Sequence, residues 1–132
     1  MLFSDWPAGA TVTQLLKPTT CSTTQTSAAF DTADYEGKIL IVINSTKGTD
    51  DNEVLTPTIV SDVASGGSYA TTFATLETVL GGATAGAADK VIAYAMDANA
   101  TNEFIKVVLT PSGTTPAFVA GITVIGHKRQ GA

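Results

Sequence analysis

The residues of this 132-residue chain that could do chemistry are few and widely spaced. There is one histidine, His127, and one cysteine, Cys21. A zinc site or a histidine-activated nucleophile therefore has too few partners within one chain, and an internal disulfide is excluded. We interpret Cys21 as a small, semi-apolar residue beside a strand and His127 as a structural or interface residue.

The carboxylates do not form a recognisable site either. Asp50, Asp51 and Glu53 lack the alternating spacing of a calcium loop, so we expect a solvated turn there. Asp31 and Asp34 fall in a predicted loop and form no acid–base pair. The glycine pairs do not have phosphate-loop spacing. The sequence therefore predicts no metal, no cofactor and no enzymatic activity.

Charge narrows the classes of partner. The formal net charge is −5, which argues against a nucleic-acid binder because such a protein needs a basic face for the phosphates. The one local basic cluster is His127, Lys128 and Arg129. The first sixteen residues lack the basic start of a signal peptide, and no apolar run reaches the length of a membrane span. We expect a soluble product made in a cytoplasm, with neither nucleic acid nor membrane as partner.

The composition favours β-structure. Hydrophobic residues make up 44% of the chain and charged residues only 14%, and threonines supply much of the polar remainder. Threonine is β-branched and polar, so it suits the outer side of a strand. A surface with so little charge also suggests that other protein covers part of it.

Short apolar segments separated by turn residues define the predicted strands. A continuous apolar run over residues 38–44 predicts a strand buried on both faces. Pro57 places the strand over residues 54–60 at a sheet edge or a bulge. Residues 77–89 are predicted to form a loop with at most one helical turn. The other predicted strands are residues 11–16, 69–76 and 91–96. Pro18 is expected to end the first of them, and the second shows the two-residue alternation of a half-buried strand.

The C-terminal third predicts a closing β-hairpin. Its arms are residues 104–109 and 117–125, and its turn is residues 111–116, rich in proline, glycine and threonine. Alternation places two sets of apolar side chains each on one face of its strand: Ile105, Val107 and Leu109, and then Phe118, Ala120, Ile122 and Val124.

Together these segments predict an all-β fold. About seven short strands with regular turns indicate an antiparallel β-sandwich or a jelly-roll-like barrel with an extended N-terminal arm. We divide the chain into an N-terminal arm with the first strand, residues 1–33, and a β-sandwich domain, residues 34–132. The apolar arm, with Leu2, Phe3 and Trp6, is expected either to dock on a neighbouring subunit or to form an edge strand of its own domain.

Four stretches resemble the head decoration, or cement, proteins of tailed bacteriophages. They are DYEGKILIVIN at 34–44, LTPTIVSD at 55–62 followed by SYATTFATL, KVIAYAMD at 90–97, and FIKVVLTPSGTTPAFVAGITVIGHKR at 104–129. The resemblance implies a virion protein on the outer capsid surface that bridges capsomers and binds the major capsid protein. It also implies a homo-oligomer, with a trimer favoured over a dimer. The chain departs from the pattern at Asn102 and Glu103, where basic residues are expected.

The candidate interface residues follow from this reading. They are the apolar residues of the arm and the basic cluster near the C-terminus: Leu2, Phe3, Trp6, His127, Lys128 and Arg129. A glycan-binding or adhesive β-sandwich module of a phage fibre or head spike is the alternative function. A small tail or head-completion protein is a third reading, which differs only in its place on the particle.

Overall fold

The computed structural model describes residues 10–129, and nearly all of their regular structure is β-strand. A single turn of 3-10 helix, Thr32–Asp34, lies between the third and fourth strands. Within residues 10–129 no helix has the length and hydropathy that crossing a bilayer requires. The strands are β1 (Ala10–Cys21), β2 (Gln25–Thr26), β3 (Phe30–Asp31), β4 (Tyr35–Ser45), β5 (Val54–Asp62), β6 (Thr71–Thr75), β7 (Val79–Leu80), β8 (Lys90–Asp97), β9 (Phe104–Ser112) and β10 (Phe118–Lys128).

Two antiparallel sheets face each other. The four-stranded sheet has the order β1-β10-β4-β8, and the six-stranded sheet has the order β2-β9-β5-β6, with β3 also paired to β9 and β7 to β5. The predicted all-β antiparallel sandwich is confirmed. The jelly-roll-like barrel is not formed, because both sheets end on edge strands within the described residues.

The core lies between the sheets and follows the two-residue period of the strands. Ile39, Ile41 and Ile43 of β4 point into it and are fully buried. The predicted shared faces of β9 and β10 are confirmed, since every member is at most 1% exposed: Ile105, Val107, Leu109, Phe118, Ala120, Ile122 and Val124. Burial of each large side chain contributes about 1.5–3 kcal/mol, which must offset the entropy of ordering the chain.

The predicted closing hairpin is wrong, because β9 and β10 belong to different sheets. Pro111, predicted in the turn, is still part of β9 and lies opposite Leu55. Residues 113–117 cross between the sheets, and Gly113 there has a φ of 124°, which glycine adopts without a steric penalty. A crossing between sheets uses the same proline- and glycine-rich composition as a hairpin turn, so composition alone does not distinguish them.

The sheet edge predicted for β5 from Pro57 is also wrong, and the register shift in its pairing with β6 lies between Ile59 and Val60 rather than at the proline. β5 is an interior strand, with β9 on one side and β6 and β7 on the other. Pro57 lies in the gap between these two short partners, where its carbonyl accepts a hydrogen bond from the Leu76 N–H at 2.9 Å. The N and C=O of one strand residue point to the same side, so the missing N–H faces this gap and no ladder bond is lost.

The first strand runs further than predicted. Pro18 does not end it: β1 continues to Cys21, antiparallel to β10 along its length. The register shifts between Leu16 and Thr19, so the proline falls in an irregularity of the ladder, where its missing donor is tolerated.

The strand predicted over residues 38–44 buries one face rather than two. Leu40 and Val42 alternate with the buried isoleucines of β4 and are partly exposed on the outer side. No second layer covers that side within the described residues, so a continuous apolar run here marks a sheet face that the domain itself leaves open.

The strand predicted over residues 69–76 is confined to β6, Thr71–Thr75. Tyr69 has a φ of 54°, outside the range of a strand. Its N–H donates to Asp62 Oδ2, and the Ala64 N–H donates to Asp62 Oδ1, both at 3.0 Å. The Asp62 carboxylate thus fixes the loop that precedes β6, and local hydrogen bonding overrides the alternating pattern there.

Candidate interaction surface

The outer face of the four-stranded sheet, which we call the apolar face, is exposed and mainly apolar, with Gln14, Asn44 and Thr123 as polar residues among the apolar ones. It carries three of the four exposed large hydrophobic residues of the described chain: Val12 is 67% exposed, Val91 68% and Val119 46%. These side chains come from β1, β8 and β10, so they span the sheet from edge to edge. Small or half-buried apolar residues lie between them: Leu40, Val42, Ala93, Ala95 and Ile125. An apolar patch that crosses a whole sheet is typical of a protein-binding surface.

A groove of about 450 Å³ lies at one end of this face. Gly121 of β10 gives it depth, since the strand carries no side chain there and a Cβ would come within 3.3 Å of Pro18. Val91 and Val119 stand beside it, and Asn44 adds an amide. The groove can receive an apolar side chain, and the Asn44 amide can hydrogen-bond to a polar group next to that side chain.

A smaller hollow of about 260 Å³ lies at the other end of the face. Its lining is almost entirely apolar, with Ala10, Leu40, Ala95 and Ile125 among its residues. Charged groups stand only at its rim, where Lys38 Nζ and Asp97 Oδ1 are 2.9 Å apart. The face therefore has a groove of mixed polar and apolar lining at one end, an apolar hollow at the other, and ion pairs at its margin.

The basic cluster near the C-terminus is part of the sandwich. His127 and Lys128 are the last residues of β10, and the Arg129 N–H donates to the Asp34 carbonyl at 2.9 Å. His127 lines the apolar hollow, with its Nδ1 3.8 Å from Glu36 Oε1. Arg129 instead lines a separate polar hollow of about 420 Å³. The structure thus brings the cluster to one end of β10 but divides it between two surfaces.

The three apolar candidates of the arm, Leu2, Phe3 and Trp6, lie outside the described residues. The described chain starts at Ala10, which lines the apolar hollow.

The polar hollow near Arg129 has an acidic margin. Glu103 lies there, and its pKa is raised by desolvation and further by the neighbouring Asp31 and Asp34 carboxylates. The Glu103 carbonyl accepts hydrogen bonds from the backbone N–H and the hydroxyl of Thr32, at 2.8 and 2.7 Å. Negative charge at this end is therefore concentrated beside the basic cluster.

Among the acidic residues of the predicted solvated turn, Glu53 does not lie where the sequence predicted. It is only 1% exposed, although a solvated turn was predicted. Its Oε1 accepts from the Asp50 N–H at 3.1 Å, whereas Oε2 has no hydrogen-bond partner within residues 10–129. The signal was available, because inward residues of β5 fall on odd numbers from Leu55 onward and Glu53 is in phase with them.

Three loops meet around Glu53, and we call this region the loop pole: residues 46–53, 80–84 and 112–115. Glycines make the contact possible, since a Cβ on Gly48 would lie 2.5 Å from Glu53 Oε1. The Gly48 N–H donates to the Leu80 carbonyl at 3.1 Å, and the Gly82 N–H donates to the Gly48 carbonyl at 2.8 Å. The loop pole is thus closed by its own hydrogen bonds.

The described residues hold little other chemistry. They contain no group of three or more histidines, cysteines, aspartates or glutamates placed to hold a metal. Cys21 is fully buried in β1, and desolvation raises the pKa of its thiol, which disfavours the reactive thiolate. The interpretation of Cys21 as a packing residue is confirmed.

No family model and no curated protein sequence matches the chain. The fold is similar to that of the infectious bursal disease virus Gx strain structure, with a TM-score of 0.54 and 12% identity over 92% of this chain and 33% of that one. The VP2 subviral particle of the same virus gives 0.51 and 17%, over 89% and 32%. Bacillus endospore appendages, a family of disulfide-linked pili, give 0.51 and 14%, over 90% and 88%.

These similarities establish the fold. The chain spans about a third of the length of the viral chains that it matches and most of the appendage subunit. At such identities the shared feature is the antiparallel β-sandwich and not a particular partner or activity. The chain has an antiparallel β-sandwich fold that these viral and appendage proteins share, and its most distinctive surface is the open apolar face of the four-stranded sheet.

Proposed function

We propose that this chain is a structural virion protein that decorates an icosahedral phage head, binds the outside of the shell and bridges or stabilises capsomers. The observation that carries the proposal is the exposed apolar outer face of the four-stranded sheet, with Val12, Val91 and Val119. The resemblance to phage decoration proteins and the capsid-like fold support it. The proposed partner is the major capsid protein, and the proposed location is the outer capsid surface.

The chemistry of the apolar face suits such a role. Contact of an exposed valine side chain with water is unfavourable, so its burial against a complementary apolar surface contributes favourable binding free energy. A lattice of identical capsomers presents the same site many times, so several modest contacts act together at high effective concentration. Binding of this kind requires no catalytic group, and we propose that the chain is not an enzyme.

The polar residues at the ends of the apolar face would orient the chain on the shell. Lys38, Asp97 and His127 stand beside the apolar hollow, so a shell surface docked there meets charge at its margin and hydrocarbon at its centre. The basic residues at the end of β10 remain candidates for contact with an acidic capsid surface. Reversal of Lys128 and Arg129 to glutamate should weaken shell binding and reduce its dependence on salt.

The test is binding of the purified chain to undecorated heads, with the bound copies per head measured on a quantitative gel. We expect saturation at a fixed ratio set by the lattice. Val12→Asp and Val119→Asp should each weaken binding at least tenfold, because an unpaired charge in an apolar contact costs more than the roughly 1.4 kcal/mol that corresponds to tenfold.

Val63→Asp is the matched control. Val63 is 72% exposed, so the same substitution adds the same charge outside the apolar face, and binding should not change. Equal loss in all three variants, or no saturable binding by the wild-type chain, would reject the proposal. Binding to a glycan array with no binding to heads would favour the adhesive alternative.

A further inference from the structure

The sheet edges of the described chain are unequally protected. Natural β-proteins guard exposed edges with short strands, bulges, prolines or charges, because an open edge pairs with other chains. β1 has two register irregularities and contains Pro18. At the edges of the six-stranded sheet, β6 has five residues and a register shift, and β2 and β3 have two residues each.

β8 lacks most of these protections, and its charged residues, Lys90 and Asp97, lie only at its two ends. It runs for eight residues, Lys90–Asp97, without proline or glycine, and its register with β4 is unbroken. Within residues 10–129 it pairs with β4 alone. Of the edges that the structure describes, β8 is therefore the one that is long, regular and open.

The phase of the ladder shows which backbone groups are open. The Ala98 N–H donates to the Gly37 carbonyl at 2.9 Å, so even-numbered residues of β8 direct their backbone groups to β4. Odd-numbered residues direct theirs to the open edge, and their side chains lie exposed on the apolar face: Val91, Ala93, Ala95 and Asp97. Small side chains at the middle of the edge leave these groups accessible.

We propose that β8 pairs antiparallel with β8 of a second copy of this chain, about a two-fold axis at Tyr94. In this register Ala93 lies opposite Ala95 of the second copy on the outer face, and Ile92 lies opposite Met96 on the inner face. Small residues thus meet small ones and apolar residues meet apolar ones at the centre of the pairing, whereas at each end Val91 lies opposite Asp97 of the second copy. The pairing joins the two four-stranded sheets into one continuous sheet.

The neighbouring register is less favourable. A two-fold axis at Ala93 would place Asp89 opposite Asp97 of the second copy, and like charges directly opposite each other destabilise a strand pair. Registers between these two are excluded, because opposite residues of an antiparallel pair must lie on the same face. An axis at Ala95 opposes no like charges but would pair only residues 93–97, because β8 ends at Asp97. The axis at Tyr94 pairs residues 91–97, so it gives the longest pairing without opposed like charges.

The contact predicts a dimer rather than the trimer favoured from the sequence resemblance, since pairing of one edge with itself is isologous and closes at two copies. It also places two apolar outer faces side by side on one surface. The pairing is a property of the free chain, so it can be measured without shells and stands apart from the proposed function.

Sedimentation equilibrium over a concentration series tests the pairing. The wild-type chain should show a dimer fraction that rises with concentration across the micromolar range. Ala95→Pro removes an N–H that faces the open edge and leaves the bonds to β4 intact, so it should be a monomer with a near-native melting temperature. Ala95→Ser keeps the N–H and should still form dimers.

A wild-type chain that stays monomeric throughout the series, or an Ala95→Pro variant that still associates, would overturn the proposal. Cysteine cross-linking tests the register separately. Tyr94→Cys should form a disulfide-linked dimer, because a residue on the two-fold axis faces its own copy at about 4.5–5.5 Å between Cβ atoms. Efficient linkage through Ala93→Cys instead would reject the axis at Tyr94.

Discussion

The loop pole around Glu53 and the apolar face of the four-stranded sheet differ in how many of their groups are buried or hydrogen-bonded within the chain itself. At the loop pole, backbone groups and side chains are paired across three loops, and Glu53 is buried among them. On the apolar face, valines stand in solvent with nothing of the described chain over them. The two regions meet where the Thr46 N–H donates to the Val119 carbonyl at 2.9 Å and the Val119 N–H donates to Thr46 Oγ1 at 3.0 Å. Away from this contact, we expect substitutions around Glu53 to change stability and substitutions on the apolar face to change the proposed shell binding.

The largest effect on stability is expected from Gly81→Ala. A Cβ there would lie 2.6 Å from the Asp50 carbonyl oxygen and 2.9 Å from the Gly48 Cα, and backbone atoms cannot move aside as a flexible side chain can. We expect a loss of up to about 3 kcal/mol in the free energy of unfolding, measured by urea denaturation.

Gly66→Ala is the control for that substitution, because nothing lies within 4 Å of the Cβ it would add. Its stability should match that of the wild type. If the two variants were equally stable, the loop pole would not be closely packed and the contrast with the apolar face would fail.

Glu53→Ala should have the next largest effect. The substitution leaves the Asp50 N–H without its acceptor and opens space beside Phe118, whose ring lies close to Gly48. We expect a loss of about 1–2 kcal/mol, reduced by removal of the unpartnered Oε2. Shell binding under conditions where the variant is folded should be unchanged, and a variant as stable as the wild type would contradict the role given to Glu53.

Acid should weaken the loop after β5. The backbone N–H of Ala64, and next that of Tyr69, lower the pKa of Asp62 below its ordinary value of 3.8. A carboxylate with a lowered folded pKa stabilises the fold above that ordinary value and loses the contribution as the pH falls through the folded pKa. The melting temperature of the wild type should therefore fall more steeply below pH 3.8 than that of Asp62→Asn.

Parallel melting curves for the wild type and Asp62→Asn would contradict this role of Asp62. Both proteins contain Glu103, whose raised pKa changes stability with pH in the opposite direction, so the difference between their curves reports the contribution of Asp62 alone. Since Asp62 lies away from the apolar face, the affinity of folded Asp62→Asn for shells should equal that of the wild type.

The smallest effect on stability is expected from Val119→Ser. The side chain is 46% exposed on the outer face, so its loss should change the free energy of unfolding by less than about 0.5 kcal/mol. A loss above 1 kcal/mol would mean that Val119 belongs to the core of the domain, and the separation of stability from binding would not hold.

The two-residue periodicity of the sequence predicted which side chains of an individual strand are buried. The buried sets of β9 and β10 follow from alternation, and the burial of Glu53 could have been found by counting back from Leu55. The separation of β9 and β10 into two sheets could not be predicted in this way, because it depends on pairing with β5 and β4, far away in the chain.

The apolar face was present in the sequence but was assigned the wrong meaning. The run over residues 38–44 predicted burial on both faces, whereas Leu40 and Val42 are partly exposed beside open valines. The sequence pattern is the same for an apolar residue that the folded domain leaves exposed and for one that it buries. Only the arrangement of the two sheets distinguishes them.

Cryo-electron microscopy of undecorated heads incubated with the purified chain shows which surface of the sandwich contacts the shell. We expect density for this β-sandwich with Val12 and Val119 of the four-stranded sheet against the shell and the six-stranded sheet away from it. Density in which the apolar face points to solvent while another surface contacts the shell would contradict the proposed function.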